Sequence, residues 1–297
     1  MPACRMDLAD VGSPEALVRL ILQAEPDLPI PVPIEDLCQQ LDIAAIQDLE
    51  TDGFEGGLIT DAERSAGIIL VKNTMEVRRR FTIAHELGHF LMPSHVPDQA
   101  GRFLCKSSDL RRTSAREGDR RERMEVEANR FASLILMPAP ALRQAMRGCT
   151  EPSLQHIPTL ARQFNVSREA MARTYAHYHD EPIAIVVTHD GKVLRHYKKL
   201  SFPFVTCRNN APVPAGSLYH RGPHERGIAS DFAVCTPENW IEVRRGERAP
   251  VLYEQVYPQR EGFGLLLLHL ELPDEEEEAE DREMEESWRV GFKAKRR

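Results

Sequence analysis

The spacing of hydrophobic positions changes several times along the chain, and each change predicts an element. Leu17, Leu20, Ile21 and Ala24 recur at helical spacing over residues 13–24, with Ser13 placed to cap and Pro14 suited to the first turn. Pro26, Pro29, Pro31 and Pro33 interrupt the chain before a second short helix with Ile34, Leu37 and Leu41 as its stripe. From about residue 43 the pattern turns extended: Ile43 to Ile46, then Leu58-Ile59-Thr60, with Gly53, Gly56 and Gly57 marking turns. Asp61-Ala62-Glu63-Arg64 reads as a hairpin connection into Ala66-Gly67-Ile68-Ile69-Leu70-Val71, the strongest strand signal of this half. Helical character returns around Phe81, Ile83, Ala84, Leu87, Phe90, Leu91 and Met92 and stops at Pro93. A polar stretch, 94–123, reads as a loop or partly helical cover with few apolar anchors. A third helical run, 125–137, ends at Pro138.

The second half differs. Residues 154–178 predict two helices joined at Phe164-Asn165-Val166, the second capped by Ser167. From Pro182 the chain is strand-rich. Residues 183–188 and 193–197 form a hairpin around Asp190-Gly191, and 240–244, 251–257 and 263–270 are further strands around a loop-rich middle, 208–230. The expected fold class is α+β. The expected divisions are 1–140, a helical segment 141–180 resembling a helix-turn-helix, a β-rich domain 181–272, and a charged tail 273–297, read as solvated.

Composition narrows the setting. The net charge is −8 and charged residues make up 28% of 297, which suits a globular protein and gives no broad basic surface for nucleic acid. No apolar run reaches the length of a membrane span, and the N-terminus lacks the apolar core of a signal peptide, so a cytoplasmic location is expected. The six cysteines, Cys4, Cys38, Cys105, Cys149, Cys207 and Cys235, are scattered without a Cys-x-x-Cys pair. That gives a cysteine metal site little support and suits a reducing compartment.

The chemistry concentrates at His85-Glu86-Leu87-Gly88-His89. Residues four apart on a helix share a face, so His85 and His89 can direct two imidazoles at one metal ion, with Glu86 placed as general base for a water molecule. The alternative, a core helix with incidental histidines, would leave two rings and a carboxylate in apolar surroundings in need of partners. The third ligand must come from elsewhere. Glu125 shares a stripe with Ala128, Asn129, Ala132 and Leu136, whose alanines permit close helix approach. Asn129, one turn on, can then orient a histidine ring. Glu127 falls on the other side between Arg123 and Arg130, as on a solvated, salt-bridged face. His95 competes with Glu125 through the spacing His-Glu-x-x-His-x5-His, but Met92-Pro93 opposes the turn this needs. The strand 66–71 is either an edge that pairs with an extended substrate or an ordinary buried strand.

Residues 79–90 (Arg-Arg-Phe-Thr-Ile-Ala-His-Glu-Leu-Gly-His-Phe) and 125–138 (Glu-Val-Glu-Ala-Asn-Arg-Phe-Ala-Ser-Leu-Ile-Leu-Met-Pro) together resemble the ImmA/IrrE family of metallopeptidases. The resemblance covers roughly residues 30–180. It implies a zincin-like domain within 1–140 and a gluzincin-like site with His85, His89 and Glu125 on zinc and Glu86 as catalytic base. Manganese or iron could take the zinc's place. It also implies a substrate class, helix-turn-helix repressors, and a GAF-like sensor as one form of the β-rich domain; the other is a protein-contact domain.

Two function classes follow. The first is a zinc endopeptidase acting on a repressor, with Tyr175, Tyr178 and His177 as candidates for a second oxyanion donor. The second is a regulator that binds DNA or protein, with Arg162, Arg168 and Arg173 against phosphates and a structural or vestigial metal site. Glu86 favours the enzyme, since a structural site needs no general base. For 154–178, a helical pair completing the peptidase core is preferred over DNA binding.

Overall fold

A computed structural model of the chain describes residues 2–61, 63–97, 102–243 and 249–271. Among these residues, seven α-helices and nine strands form an α+β protein with two sheets. The chain divides into two units: one of residues 1–148 and 158–171, the other of residues 149–157 and from 172 on. The expected tail, 273–297, lies outside the described residues, as do Ala62 of the hairpin connection and Arg244 of the expected strand 240–244.

The first unit begins with α1 (Pro14–Ala24), whose Ser13 side chain accepts from the Ala16 amide, and α2 (Ile34–Gln40). Its sheet contains β1 (Ile43–Leu49), β2 (Gly56–Thr60), β3 (Gly67–Lys72) and β4 (Arg102–Cys105) in the order β1-β3-β2-β4. β3 runs parallel to β1 and antiparallel to β2, and β4 lies antiparallel on the far side of β2. This decides between the two readings of 66–71. The apolar run 66–71 is an internal strand with neighbours on both sides, so its burial pattern has an ordinary cause and the strand offers no edge to a substrate.

α3 (Glu76–Leu91) carries the His-Glu-x-x-His stretch and packs against β2, β3 and α4 (Arg120–Leu136). Gly88 makes the helix contact close. A Cβ there would stand 3.0 Å from Cδ1 of Phe131, while fully buried Ala128 and Ala132 keep the facing side of α4 thin. At its start α3 is tied to the sheet by Arg79, which grips Asp48 of β1 with two bonds of 2.7 and 3.1 Å and also reaches Glu35 of α2. At its end, Arg64 of the β2–β3 connection does what a C-terminal glycine often does. Its guanidinium donates to the carbonyls of His89 and Phe90 at 2.6 Å, of His95 at 2.9 Å and of Met92 at 3.4 Å. The His89 and Phe90 carbonyls stand in the last turn of α3, where carbonyls lack helical partners, and a cation there also complements the helix dipole.

The stretch 94–123 is more anchored than its polarity suggested. β4 buries Phe103 and Cys105. A 3-10 turn follows at Asp109–Arg111, and α4 starts at Arg120, earlier than the apolar pattern shows, because Asp119 caps it by accepting from the Glu122 amide at 2.9 Å. Glu122 in turn holds Arg116 and Arg112. α5 (Ala139–Met146) completes this part of the chain.

α6 (His156–Phe164) and α7 (Arg168–Tyr178) are joined by three residues, and Asn165 takes the left-handed conformation, φ 51°, that the turn requires. The second unit holds an antiparallel sheet, β6-β5-β9-β8-β7, made of β5 (Ile183–His189), β6 (Lys192–Lys198), β7 (Ala233–Cys235), β8 (Val251–Pro258) and β9 (Phe263–Glu271). β7 was not anticipated. Three residues with one buried side chain give too short an alternation to read. Trp240 and Ile241 are buried, but they meet Val205 only in an isolated bridge instead of forming the expected strand.

The Arg64 contacts yield a stability prediction. A hydrogen bond to a charged group contributes about 1.5–3 kcal/mol net of its exchange with water, and water can replace the guanidinium at part of these part-buried carbonyls, so the four bonds do not add. Arg64→Ala is therefore expected to lower unfolding free energy by about 2 kcal/mol, read as a lower urea midpoint with an unchanged slope. A midpoint equal to that of the parent chain would show that water caps α3 as well as Arg64 does.

Candidate metal centre

His85 and His89 sit one turn apart on α3, both fully buried. Their Nε2 atoms face each other at 3.1 Å. Glu125 of α4 brings Oε2 to 3.2 Å from His85 Nε2 and 3.5 Å from His89 Nε2. Cys105, the last residue of β4, joins them with Sγ 3.8 Å from His89 Nε2. The four donor atoms lie within 4.8 Å of one another, and all four residues are buried.

The surrounding hydrogen bonds fix what each ring presents to the centre. The Asn129 amide donates through Nδ2 to the carbonyls of Asp109 and Arg112, at 2.7 and 3.0 Å. Its Oδ1 therefore faces His85 Nδ1 at 2.9 Å and accepts from it. His95 donates from Nε2 to Glu127 at 2.9 Å, which leaves its Nδ1 to accept from His89 Nδ1 at 2.9 Å. Each metal-facing ring thus spends its proton outward and turns a lone pair inward, as in histidine metal sites. Two lone pairs and a carboxylate oxygen converge on one point, and Glu125 Oε2 has no hydrogen-bond partner among the described residues. Metal–donor bonds of roughly 2.0–2.2 Å arranged tetrahedrally put donors about 3.3–3.6 Å apart, close to the observed 3.1, 3.2 and 3.5 Å. The residues fit a divalent cation, and the donor set suits zinc.

Glu86 completes the group. Its carboxylate is fully buried, and neither oxygen has a hydrogen-bond partner. Burial pushes its carboxyl up to about 7 against the pull of His85. Burial also pushes His89 down to about 3. For His85 and Glu125 burial opposes ionisation, but the approach of Glu125 Oε2 to 3.2 Å from His85 Nε2 prevails, so His85 is raised and Glu125 is held far below the carboxylate range. Burial among Glu86, Glu125 and Asp109 drives the Cys105 thiol well up. All these groups titrate against each other in a dry space, and a cation would reorder every one of them.

Gly56 explains how Glu86 is accommodated. It opens β2 beneath α3, where a Cβ would overlap the Thr82 methyl and stand 2.6 Å from Glu86 Oε1. The sequence marked Gly56 as a turn residue, but it is a strand residue kept small by the catalytic-type carboxylate above it.

The structure brings together His85, Glu86, His89 and Glu125, as the spacing argument required of a site. It places His95 behind His89 and not in the cluster. Glu127 is corrected as well: its carboxylate accepts from His95 instead of lying on a solvated face between Arg123 and Arg130. Cys105 is the residue that sequence reasoning missed. Ligand spacing rules look for paired cysteines, and nothing local shows that a lone cysteine at a strand end will arrive beside two histidines. Tyr175 is no free oxyanion donor, because its hydroxyl binds the Ser153 amide and His156 Nδ1 at 3.1 and 3.0 Å within the second unit.

No helix among the described residues is long and apolar enough to cross a membrane. No curated protein matches the sequence well enough to count as a relative. A solved structure, a Mycobacterium tuberculosis transcriptional regulator, is similar in fold over 89% of this chain and 88% of its own, with a TM-score of 0.51 and 16% sequence identity. Residues 45–175 match the peptidase family described as the IrrE N-terminal-like domain. Both motifs and all four clustered residues fall inside that match, so over residues 45–175 the chain is similar to the IrrE N-terminal-like domain, consistent with the resemblance to the ImmA/IrrE metallopeptidases.

Proposed function

We propose that the chain is a zinc-dependent endopeptidase that cuts a helix-turn-helix repressor. The observation that carries this reading is the pairing of the buried cluster of His85, His89, Glu125 and Cys105 with a second buried carboxylate, Glu86, whose oxygens have no hydrogen-bond partner among the described residues. A buried carboxyl without partners is unfavourable by several kcal/mol in a purely structural site, and it makes sense where a water molecule is to be deprotonated. His85, His89 and Glu125 would hold the cation, and manganese is a second candidate for the same donors. The cation would polarise the scissile carbonyl and acidify water. Glu86 takes the proton as water oxygen attacks the carbonyl carbon, then returns it to the leaving amine nitrogen, so the peptide bond breaks with water consumed and no net proton change at Glu86. Asn129 and His95, through their hydrogen bonds, keep the two rings from rotating. The repressor as substrate class rests on the family resemblance, and the fold likeness to a protein described as a transcriptional regulator accords with a regulatory setting.

A second reading, a regulator that binds DNA or protein, keeps one supporting observation. α6 and α7 form two helices with a three-residue turn, and Arg162 and Arg168 are exposed on them. Burial of Leu160, Phe164, Met171 and Tyr175 on the same pair accords equally with a packing role. For the β-rich unit a contact surface is better supported than a GAF-like pocket, since Phe232, Val234 and Val251 stand exposed at its β7–β8 end.

Two predictions test the enzyme reading. His85→Ala, His89→Ala and Glu125→Ala should each abolish tight binding of a divalent metal, measured by metal content after dialysis. Retention in Glu125→Ala with loss in His95→Ala would transfer the third ligand to His95. Glu86→Gln should keep metal content and melting curve while cleavage of the helix-turn-helix regulator encoded beside the gene falls by about 10² to 10⁴. Cleavage by Glu86→Gln at the parent rate would end the peptidase assignment and leave the regulator reading.

A further inference from the structure

β4 stands where a substrate would stand. In extended-substrate peptidases the substrate adds a strand to the sheet edge above the catalytic residues. Here that edge is β2, whose Gly56 lies against Glu86. Four residues of the chain itself occupy it, in the antiparallel register Gly56↔Cys105, Gly57↔Leu104, Leu58↔Phe103 and Ile59↔Arg102. Residues directly opposite on neighbouring strands project from the same sheet face. Since a side chain at Gly56 would run into Glu86, its partner Cys105 projects toward the same site. The other inward residue of β4, Phe103, stacks on the His89 ring at 4.9 Å between centroids and 26° between planes. β4 therefore covers His89 with an aromatic ring and delivers a sulfur atom to the donor cluster.

We infer that β4 is an autoinhibitory strand and that Cys105 is the fourth metal ligand of a latent state. The inference rests on the metallopeptidase reading above and adds its regulation. A bond from sulfur to the cation closes the coordination position that water must take, while the backbone of 102–105 fills the edge that a substrate segment would pair with. Activation then requires β4 to leave β2, and a substrate strand can replace it bond for bond along the edge. The clasp is local. Beyond β4, Glu55 and Ser107 share Arg78, through contacts of 3.0 and 2.8 Å, and the Lys106 amide donates to Asp109 at 2.9 Å. These contacts hold the segment that follows Cys105. A site that was only structural would also take four ligands, but it would have no use for a second carboxylate, Glu86, buried beside it against Gly56.

The test uses the full chain. X-ray absorption of the zinc-loaded protein should show a sulfur neighbour at about 2.3 Å, and the cobalt-substituted protein should show a thiolate-to-metal charge-transfer band. Both signals should vanish in Cys105→Ser, with metal content retained. The cobalt spectrum should also report acetohydroxamate binding to the metal at least tenfold more tightly in Cys105→Ser than in the parent chain. A zinc site of nitrogen and oxygen only in the parent, sulfur that persists in Cys105→Ser, or equal hydroxamate affinity overturns the latent state and leaves the metal site standing. Failure of the parent chain to bind zinc or cobalt overturns the underlying reading as well.

Discussion

The first unit depends on one electrostatic constraint. Two imidazole lone pairs, a carboxylate and a thiol are enclosed together, and a second carboxylate is enclosed beside them. Buried acceptors facing one another repel. Much of the surrounding structure keeps that arrangement in place. The Asn129 amide is locked by two carbonyls of the segment after β4, and His95 is locked by Glu127. Their role is to aim nitrogen atoms, and they do so only because α3 and α4 lie close enough for both to reach across.

Close approach has its own requirements. Gly88 on α3 and Ala128 and Ala132 on α4 keep the helix interface thin, with Phe131 packed against the Gly88 backbone. Gly56 does the same between β2 and α3. Arg79 and Arg64 secure the two ends of α3, one to β1 and α2, the other by collecting the helix's final carbonyls. The site is thus rigid on three sides: α3, α4 and the β2 strand. The fourth side is β4, attached through one strand partner.

These differences in attachment parallel what could be read from sequence. Helical spacing and a four-residue histidine repeat encode α3 locally, so the placement of His85, Glu86 and His89 was legible, as was the stripe that carries Glu125 and Asn129. The parallel and antiparallel order of the sheet was not, because an apolar run such as 66–71 looks alike whether it is an edge or an interior strand. β4 has only two inward residues, Phe103 and Cys105, separated by an exposed leucine, and its surroundings are polar. Its pairing is decided by β2, some fifty residues earlier. Glu127 was misread for a related reason: arginines at helical spacing are a local signal, and a histidine beyond the helix outcompeted them.

The same asymmetry bears on what the fold can do. An edge strand is a hazard unless something covers it, and β2 needs an exposed edge if it is to bind an extended segment. A strand held by few pairings resolves that conflict. Four register pairs protect the edge at rest, and each pairing given up to a substrate is replaced by one of the same kind, so exchange changes the backbone hydrogen-bond count little. What distinguishes the two partners is then their side chains. Under the autoinhibition proposed above, a substrate without a sulfur at the Cys105 position would leave the coordination position to water, and one without an aromatic at the Phe103 position would uncover His89. On this view selectivity lies less in the backbone pairing, which any extended segment can offer, than in whether a segment competes with Phe103 and Cys105 for the face above Glu86.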